Sequence, residues 1–225
     1  MYDIHTKSIR EPDVSDADLL TLVQWLSPAF PVGGFAYSHG LEWAISEGHV
    51  TSAETLLSWL SDVLDHGSGR ADAVLLARAM DAQADLALVA ATARALAASK
   101  ERWIETADQG AAFTTAVNAL TGQQFPPAAL PVAVGRAARA LSLPPERVAA
   151  LYLHAFASNL VSAAVRFVPL GQTDGQRVLA ALHPLIERVA REAAATPLDA
   201  ITASVPGADL AAMLHETQDV RIFRT

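Results

Sequence analysis

Apolar residues recur along this chain at helical intervals, and no convincing run alternates with the period of a strand. After a polar opening, Ser15 with Asp16 and Asp18 reads as a helix start. Leu19, Leu20, Leu22, Val23 and Leu26 then form an apolar stripe that stops at Pro28. A second helix is predicted from near Ser38 to Gly48. A third is capped by Thr51 or Ser52, turns Leu56, Leu57, Trp59, Leu60, Val63 and Leu64 inward, and ends at Gly67. Alanine-rich helices follow at about 71–82 and 86–98, then a long one over 100–120 with a weak point at Gly110. Residues 121–127 read as a loop and 130–141 as a helix with Pro131 in its first turn. Pro144 and Pro145 open a strongly apolar helix reaching about Phe167. Pro169 and Gly171 break the chain. Helix resumes over about 174–194, with a kink expected at Pro184, and a short helix over 208–215 leads into the last segment. No internal repeat or dividing linker appears. The pattern predicts one all-α domain, a single compact unit of roughly ten helices over 15–216, with a mobile N-terminal tail at 1–14 and a C-terminal docking tail at 217–225.

One segment departs from this regularity. Ser27 to Glu42 reads SPAFPVGGFAYSHGLE. Pro28 and Pro31 fix φ and remove donors, while Gly33 and Gly34 permit backbone closed to other residues. It is predicted to be an ordered loop, with Phe30, Phe35 and Tyr37 available to anchor it.

Composition narrows the function. The chain has 225 residues, of which 52% are hydrophobic and 18% charged, enough for a buried core without disulfides or metal. A net charge of −8 argues against nucleic acid as the main partner. The absence of cysteine excludes thiolate chemistry and fits a reducing cytoplasm. The N-terminal residues lack the apolar core of a signal peptide. The apolar run near Val148–Val168 is interrupted by His154, Ser158, Asn159, Ser162 and Arg166, so it reads as a buried helix rather than a membrane span.

Catalytic signatures are missing. There is no P-loop, dinucleotide fingerprint, HExxH or GxSxG. None of the seven histidines pairs with another at i,i+4, so no two-histidine metal face is visible. His215 and Glu216 are neighbours and point in different directions along a helix. Arg166 either complements a helix C-terminus or presents charge to a partner. Gln172, Asp174 and Gln176 either cap the next helix or line a wet passage. In the last segment, Val220, Ile222 and Phe223 alternate with Arg221 and Arg224, a composition suited to docking.

Four separated motifs resemble the UreF-type urease accessory proteins. They are Ser27-Pro28 with Phe30-Pro31-Val32-Gly33-Gly34-Phe35, Tyr37-Ser38 and Gly40-Leu41-Glu42; Ser99-Lys100-Glu101-Arg102 with Gly110; Val168-Pro169-Leu170-Gly171-Gln172 with Gln176; and His215-Glu216-Thr217-Gln218 with Arg221-Ile222-Phe223-Arg224. The resemblance implies a compact helical, cytoplasmic, usually dimeric scaffold, without a cofactor of its own, that helps assemble the nickel centre of urease. It implies partners: UreD (also called UreH), the GTPase UreG and apo-urease. It also implies control of UreG's GTP hydrolysis and a route for nickel through the complex. On matching positions, Glu42, Arg166, Gln172 and Gln176 become candidates for partner binding or gating. Gly33, Gly34, Phe35 and Tyr37 become the loop surface, and His215, Glu216, Gln218, Arg221 and Phe223 the docking tail. The chain departs from the pattern at Arg166, where many relatives have lysine, and at Asp219 and Val220, where tyrosine and serine are usual. Phe223 is expected to take over the lost aromatic packing. Two other readings remain at this stage. One is a helical enzyme using Glu42, His39 and Arg166. The other is a helical transcriptional regulator, disfavoured by the acidic balance.

Overall fold

The structure is a computed structural model that describes residues 15–225; the tail expected at 1–14 lies outside the described residues. Those residues form eleven α-helices and no strand. In chain order they are α1 (Asp16–Trp25), α2 (Leu41–Ser46), α3 (Ala53–Asp65), α4 (Ser68–Met80), α5 (Leu86–Ala95), α6 (Lys100–Thr121), α7 (Leu130–Ala138), α8 (Pro145–Ala164), α9 (Gln172–Ala181), α10 (His183–Ala195) and α11 (Pro206–His215). The all-α expectation holds.

Helix starts follow local chemistry. Ser15 and Ser52 each accept from the backbone three residues on, and Ser52 with Thr55 closes a capping box. Asp85 accepts from Ala87 and Leu88 at the start of α5, and Ser99 accepts from Arg102 at the start of α6. α8 is the axis of the core. It is covered by α2, α3, α4, α9 and α10, and buries Val148, Leu153, Ala157, Leu160 and Ala164. α4 also packs on α7, which in turn packs on α6. Each fully buried leucine in this interior contributes about 2 kcal/mol.

Several expectations are corrected. The α1 stripe is narrower than predicted: Leu22 and Trp25 are buried, while Leu20 and Val23 face outward. α2 starts at Leu41 rather than Ser38, because His39 and Gly40 both take positive φ and turn the chain before the helix begins. The kinked helix expected over 174–194 is two helices, α9 and α10, divided at Leu182. Pro184 lacks the N–H that would continue α9, so it sits in the first turn of a new helix instead. Gly110 is no weak point: α6 runs through it unbroken. A Cβ there would run into the backbone of Ala128 and Leu130, so glycine is what lets the α7 entry lie against α6. No helix of the described residues is long and apolar enough to cross a membrane.

Candidate functional site

The ten residues after α11 fold back over the body and end beside the loop that precedes α2. The Glu42 carboxylate organises this junction. Gly40, at φ 75°, brings α2 against α11 so closely that a Cβ would lie 2.7 Å from the Ala212 nitrogen. Glu42 in the first turn of α2 is thereby aimed inward and is only 7% exposed. Its Oε1 accepts from the Ile222 amide at 2.8 Å and its Oε2 from the Phe223 amide at 2.9 Å. His215, at the end of α11 and fully buried, meets Glu42 Oε2 through Nε2 at 3.1 Å. Its Nδ1 meets Glu101 Oε2 at 2.7 Å, and Glu101 Oε1 accepts from Arg221 at 2.7 Å. Both imidazole nitrogens thus face carboxylates. Glu216 accepts from the Glu101 amide at 3.2 Å, capping α6. Arg224 donates its amide to Ala36, and Ser38 donates its amide to the Thr225 carbonyl at 2.7 Å. Phe223 is buried against Phe167, with ring centroids 5.4 Å apart. The tail therefore lies against its own domain, with the Phe223 ring buried there. Val220 and Ile222, at 77% and 70% exposed, remain uncovered.

Behind this junction lies a second polar group that sequence reasoning missed. α6 places Glu101, Glu105 and Gln109 on one face, with Arg102 beside them, and that face is buried. Arg102 pairs with Glu105, whose carboxylate also accepts from Thr225 Oγ1 at 2.8 Å and lies 3.7 Å from His39 Nδ1. His39 Nε2 is 2.5 Å from Ser68 Oγ. Burial, helped by Arg102, lowers the His39 pKa to about 4, so the imidazole is neutral. Burial pushes Glu105 up, but Arg102 and His39 outweigh it and hold Glu105 at about 2. Asp72 is the opposite case: burial raises it to about 6, against the pull of Arg102 and of a 2.9 Å hydrogen bond from Tyr152. The tyrosine hydroxyl is raised well above its ordinary range, by burial and then by Asp72.

Members of this group line two cavities. One of about 60 Å³ is lined by His39, Ser68, Asp72 and Arg102. The other, of about 220 Å³, is lined by Glu105, Gln109, Tyr152, Asn159, Gly34 and Arg166. Asn159 fixes the loop roof by donating to the Gly34 carbonyl at 3.0 Å.

The loop itself is only partly as expected. Phe30 and Tyr37 anchor it, Phe30 against Phe113 and Tyr37 through a 3.3 Å bond to Asp108. Phe35 does not anchor it and is 68% exposed. The positive φ falls at Gly33, not Gly34. Burial, with Asp108 nearby, raises the Tyr37 pKa, although Arg224 opposes this.

The sequence candidates therefore divide. Glu42, His215, Glu216, Arg221 and Phe223 come together, and Gln218 ties the tail locally through its bond to the Val220 carbonyl. Arg166 belongs to the larger cavity, and Gln172 and Gln176 lie exposed on the first turns of α9, with no side-chain cap bond. No set of three histidine or carboxylate side chains is placed to hold a metal ion among the described residues. The one signal that could have revealed the hidden polar face is the i,i+4 series Glu101, Glu105, Gln109 in a helix with almost no amphipathic contrast.

A family model described as UreF matches residues 50–183. Proteins named "Urease accessory protein UreF" are similar over most of the chain. The protein from Cereibacter sphaeroides strain KD131 is 64% identical over 209 residues, 93% of this chain and 99% of its own length. That from Dinoroseobacter shibae is 56% identical over 206 residues, covering 92% and 98%. That from Roseobacter denitrificans is 52% identical over 223 residues, covering 99% of each.

Proposed function

The chain belongs to the UreF family of urease accessory proteins, and from that premise we propose that it is a scaffold joining UreD (UreH), the GTPase UreG and apo-urease while nickel is inserted. It is an accessory protein of urease maturation, not itself an enzyme. The finer reading includes a cytoplasmic homodimer, control of GTP hydrolysis by UreG, and nickel as cargo rather than resident cofactor.

One observation carries the scaffold reading. Glu42 pins the tail by two backbone amides, and Val220 and Ile222 on the tail and Phe35 on the loop stay exposed. Exposed apolar side chains held on an ordered backbone suit protein contact, because little ordering entropy remains to be lost on binding. The polar group at Glu105 supports a passage role more weakly: its members line two cavities, one of which is also lined by Arg166. The enzyme reading loses its site. Glu42 is committed to the tail, His39 to Ser68, and Arg166 lines a different cavity from His39.

The test is co-purification with UreD. Removing 217–225 should lower recovery of the UreD complex at least tenfold while leaving helical content and the thermal midpoint of the body within a few degrees. Undiminished recovery of UreD by the truncated chain would refute the tail's role.

A further inference from the structure

The loop over 122–129 and the helices α5 and α7 border a groove of about 620 Å³ that no residue of the tail lines. Its walls are Trp25, Leu86, Val117, Phe125, Val132 and Ala137, and among the described residues no carboxylate lines it. Two guanidiniums do. Arg136 is only 8% exposed, lies 4.7 Å from the centre of the Phe125 ring and donates to the Pro126 carbonyl at 2.7 Å. Its Nε is buried without any acceptor. Arg139 donates from Nε to the Ala79 carbonyl at 2.8 Å and from Nη2 to the Asp81 carbonyl. Neither arginine has a carboxylate partner among the described residues, whereas Arg70, Arg102, Arg177, Arg188 and Arg221 each do. Burial, and then the charge of Arg139, lowers the Arg136 pKa.

A buried cation without a counter-ion is costly, and in a chain of net charge −8 there are carboxylates to spare. Among the lining residues only the two arginines carry charge. We propose that this groove is a docking site for a segment of another protein that carries a carboxylate flanked by apolar side chains, the carboxylate pairing with Arg136 and Arg139. The apolar walls accept the flanking side chains, and the guanidiniums select the acid by forked, charge-assisted bonds. The apolar walls with two guanidiniums among them suit a chain segment bearing an acid better than a purely apolar alkyl tail. Nucleic acid is disfavoured by the apolar walls and the chain's negative charge. This surface is separate from the tail and the loop, so the inference goes beyond the scaffold reading and does not depend on the tail's role.

The test places a photo-crosslinking benzoylphenylalanine at Ala87, an exposed residue of the groove rim, in the full chain expressed in a urease-producing host. Crosslinked peptides are sequenced by mass spectrometry, with and without Ala140→Glu, which sets a carboxylate beside Arg139. The expected adduct is a segment of a different protein with Asp or Glu among apolar residues. Its yield should fall at least tenfold in Ala140→Glu, with the thermal midpoint retained. If Ala140→Glu unfolds the chain, the crosslinker moves to Ala140 and Ala87→Glu carries the charge test. Adducts only with a second copy of this chain, with lipid, with a segment lacking an acid, or with nothing at all overturn the proposal. So does a yield unmoved by the added carboxylate.

Discussion

Asp72 and His39 both feel the charge of Arg102, and their protonation equilibria oppose each other. Asp72 is held at about 6 when folded, against 3.8 ordinarily, so the folded chain binds this proton more tightly than the unfolded one. Its effect on stability is therefore unfavourable above pH 6 and is relieved as pH falls from about 6 toward 3.8, by about 3 kcal/mol. His39 titrates at about 4 when folded, against 6.5. The unfolded chain takes up that proton first, so stability falls by about 3 kcal/mol as pH drops from 6.5 to 4. The two contributions nearly cancel between pH 6 and 4. Replacing one residue should expose the other. Asp72→Asn is expected to lose stability steeply over that window. His39→Asn, which tolerates the positive φ of 61° at this position, should gain stability. Urea unfolding at half-unit pH intervals gives the comparison; three parallel curves for the parent and both variants would show that the pair does not govern acid stability. Glu105, at about 2 against 4.5, adds a further loss that begins only below pH 4.5.

At the scale of elements, close backbone approach decides which glycines matter. Gly110 of α6 faces the entry to α7, where an added Cβ would meet the Ala128 carbonyl and the Leu130 nitrogen, and backbone on both sides cannot swing away. Gly110→Ala is expected to cost about 3 kcal/mol or more in chemical denaturation. Gly34→Ala, where the nearest atom is a side-chain oxygen of Gln109 at 3.7 Å, should stay within about 0.5 kcal/mol. Equal effects at the two sites would mean that the α6–α7 contact is not what fixes Gly110. The sequence made the helices legible because apolar spacing and serine or aspartate caps are local signals: Ser15, Ser52 and Ser99 all cap helices. It misplaced the start of α2 because nothing about a histidine announces positive φ. It joined α9 to α10 because a proline inside an apolar pattern reads equally as a kink or a new first turn. The tail side of the site was legible through its mixed apolar and basic residues. The buried face of α6 was not, since Glu101, Glu105 and Gln109 become interior only through partners more than a hundred residues away in His215 and Thr225, or through the loop and Asn159.

For the whole molecule, Glu105 of the buried polar group and the exposed Arg166 line one cavity of about 220 Å³. Arg166 follows the last turn of α8, is exposed, and makes no side-chain hydrogen bond or ion pair among the described residues. An exposed, unbonded cation contributes little to stability, generally within about 0.5 kcal/mol when removed. Its place at the cavity lining, with Glu105 further in, suits a charge offered to a partner or to a cation in transit. Arg166→Ala should therefore keep the parent's melting temperature and still lower urease activation in cells at least fivefold. Arg166→Lys, which retains the charge but not the forked geometry, separates two roles. Full activation with lysine assigns the effect to charge, and activation as poor as with alanine assigns it to bidentate contact. If Arg166→Ala instead destabilises the chain by more than about 2 kcal/mol, or activates urease as well as the parent, Arg166 is a structural residue or a bystander, and the outer mouth of the cavity has lost its functional candidate.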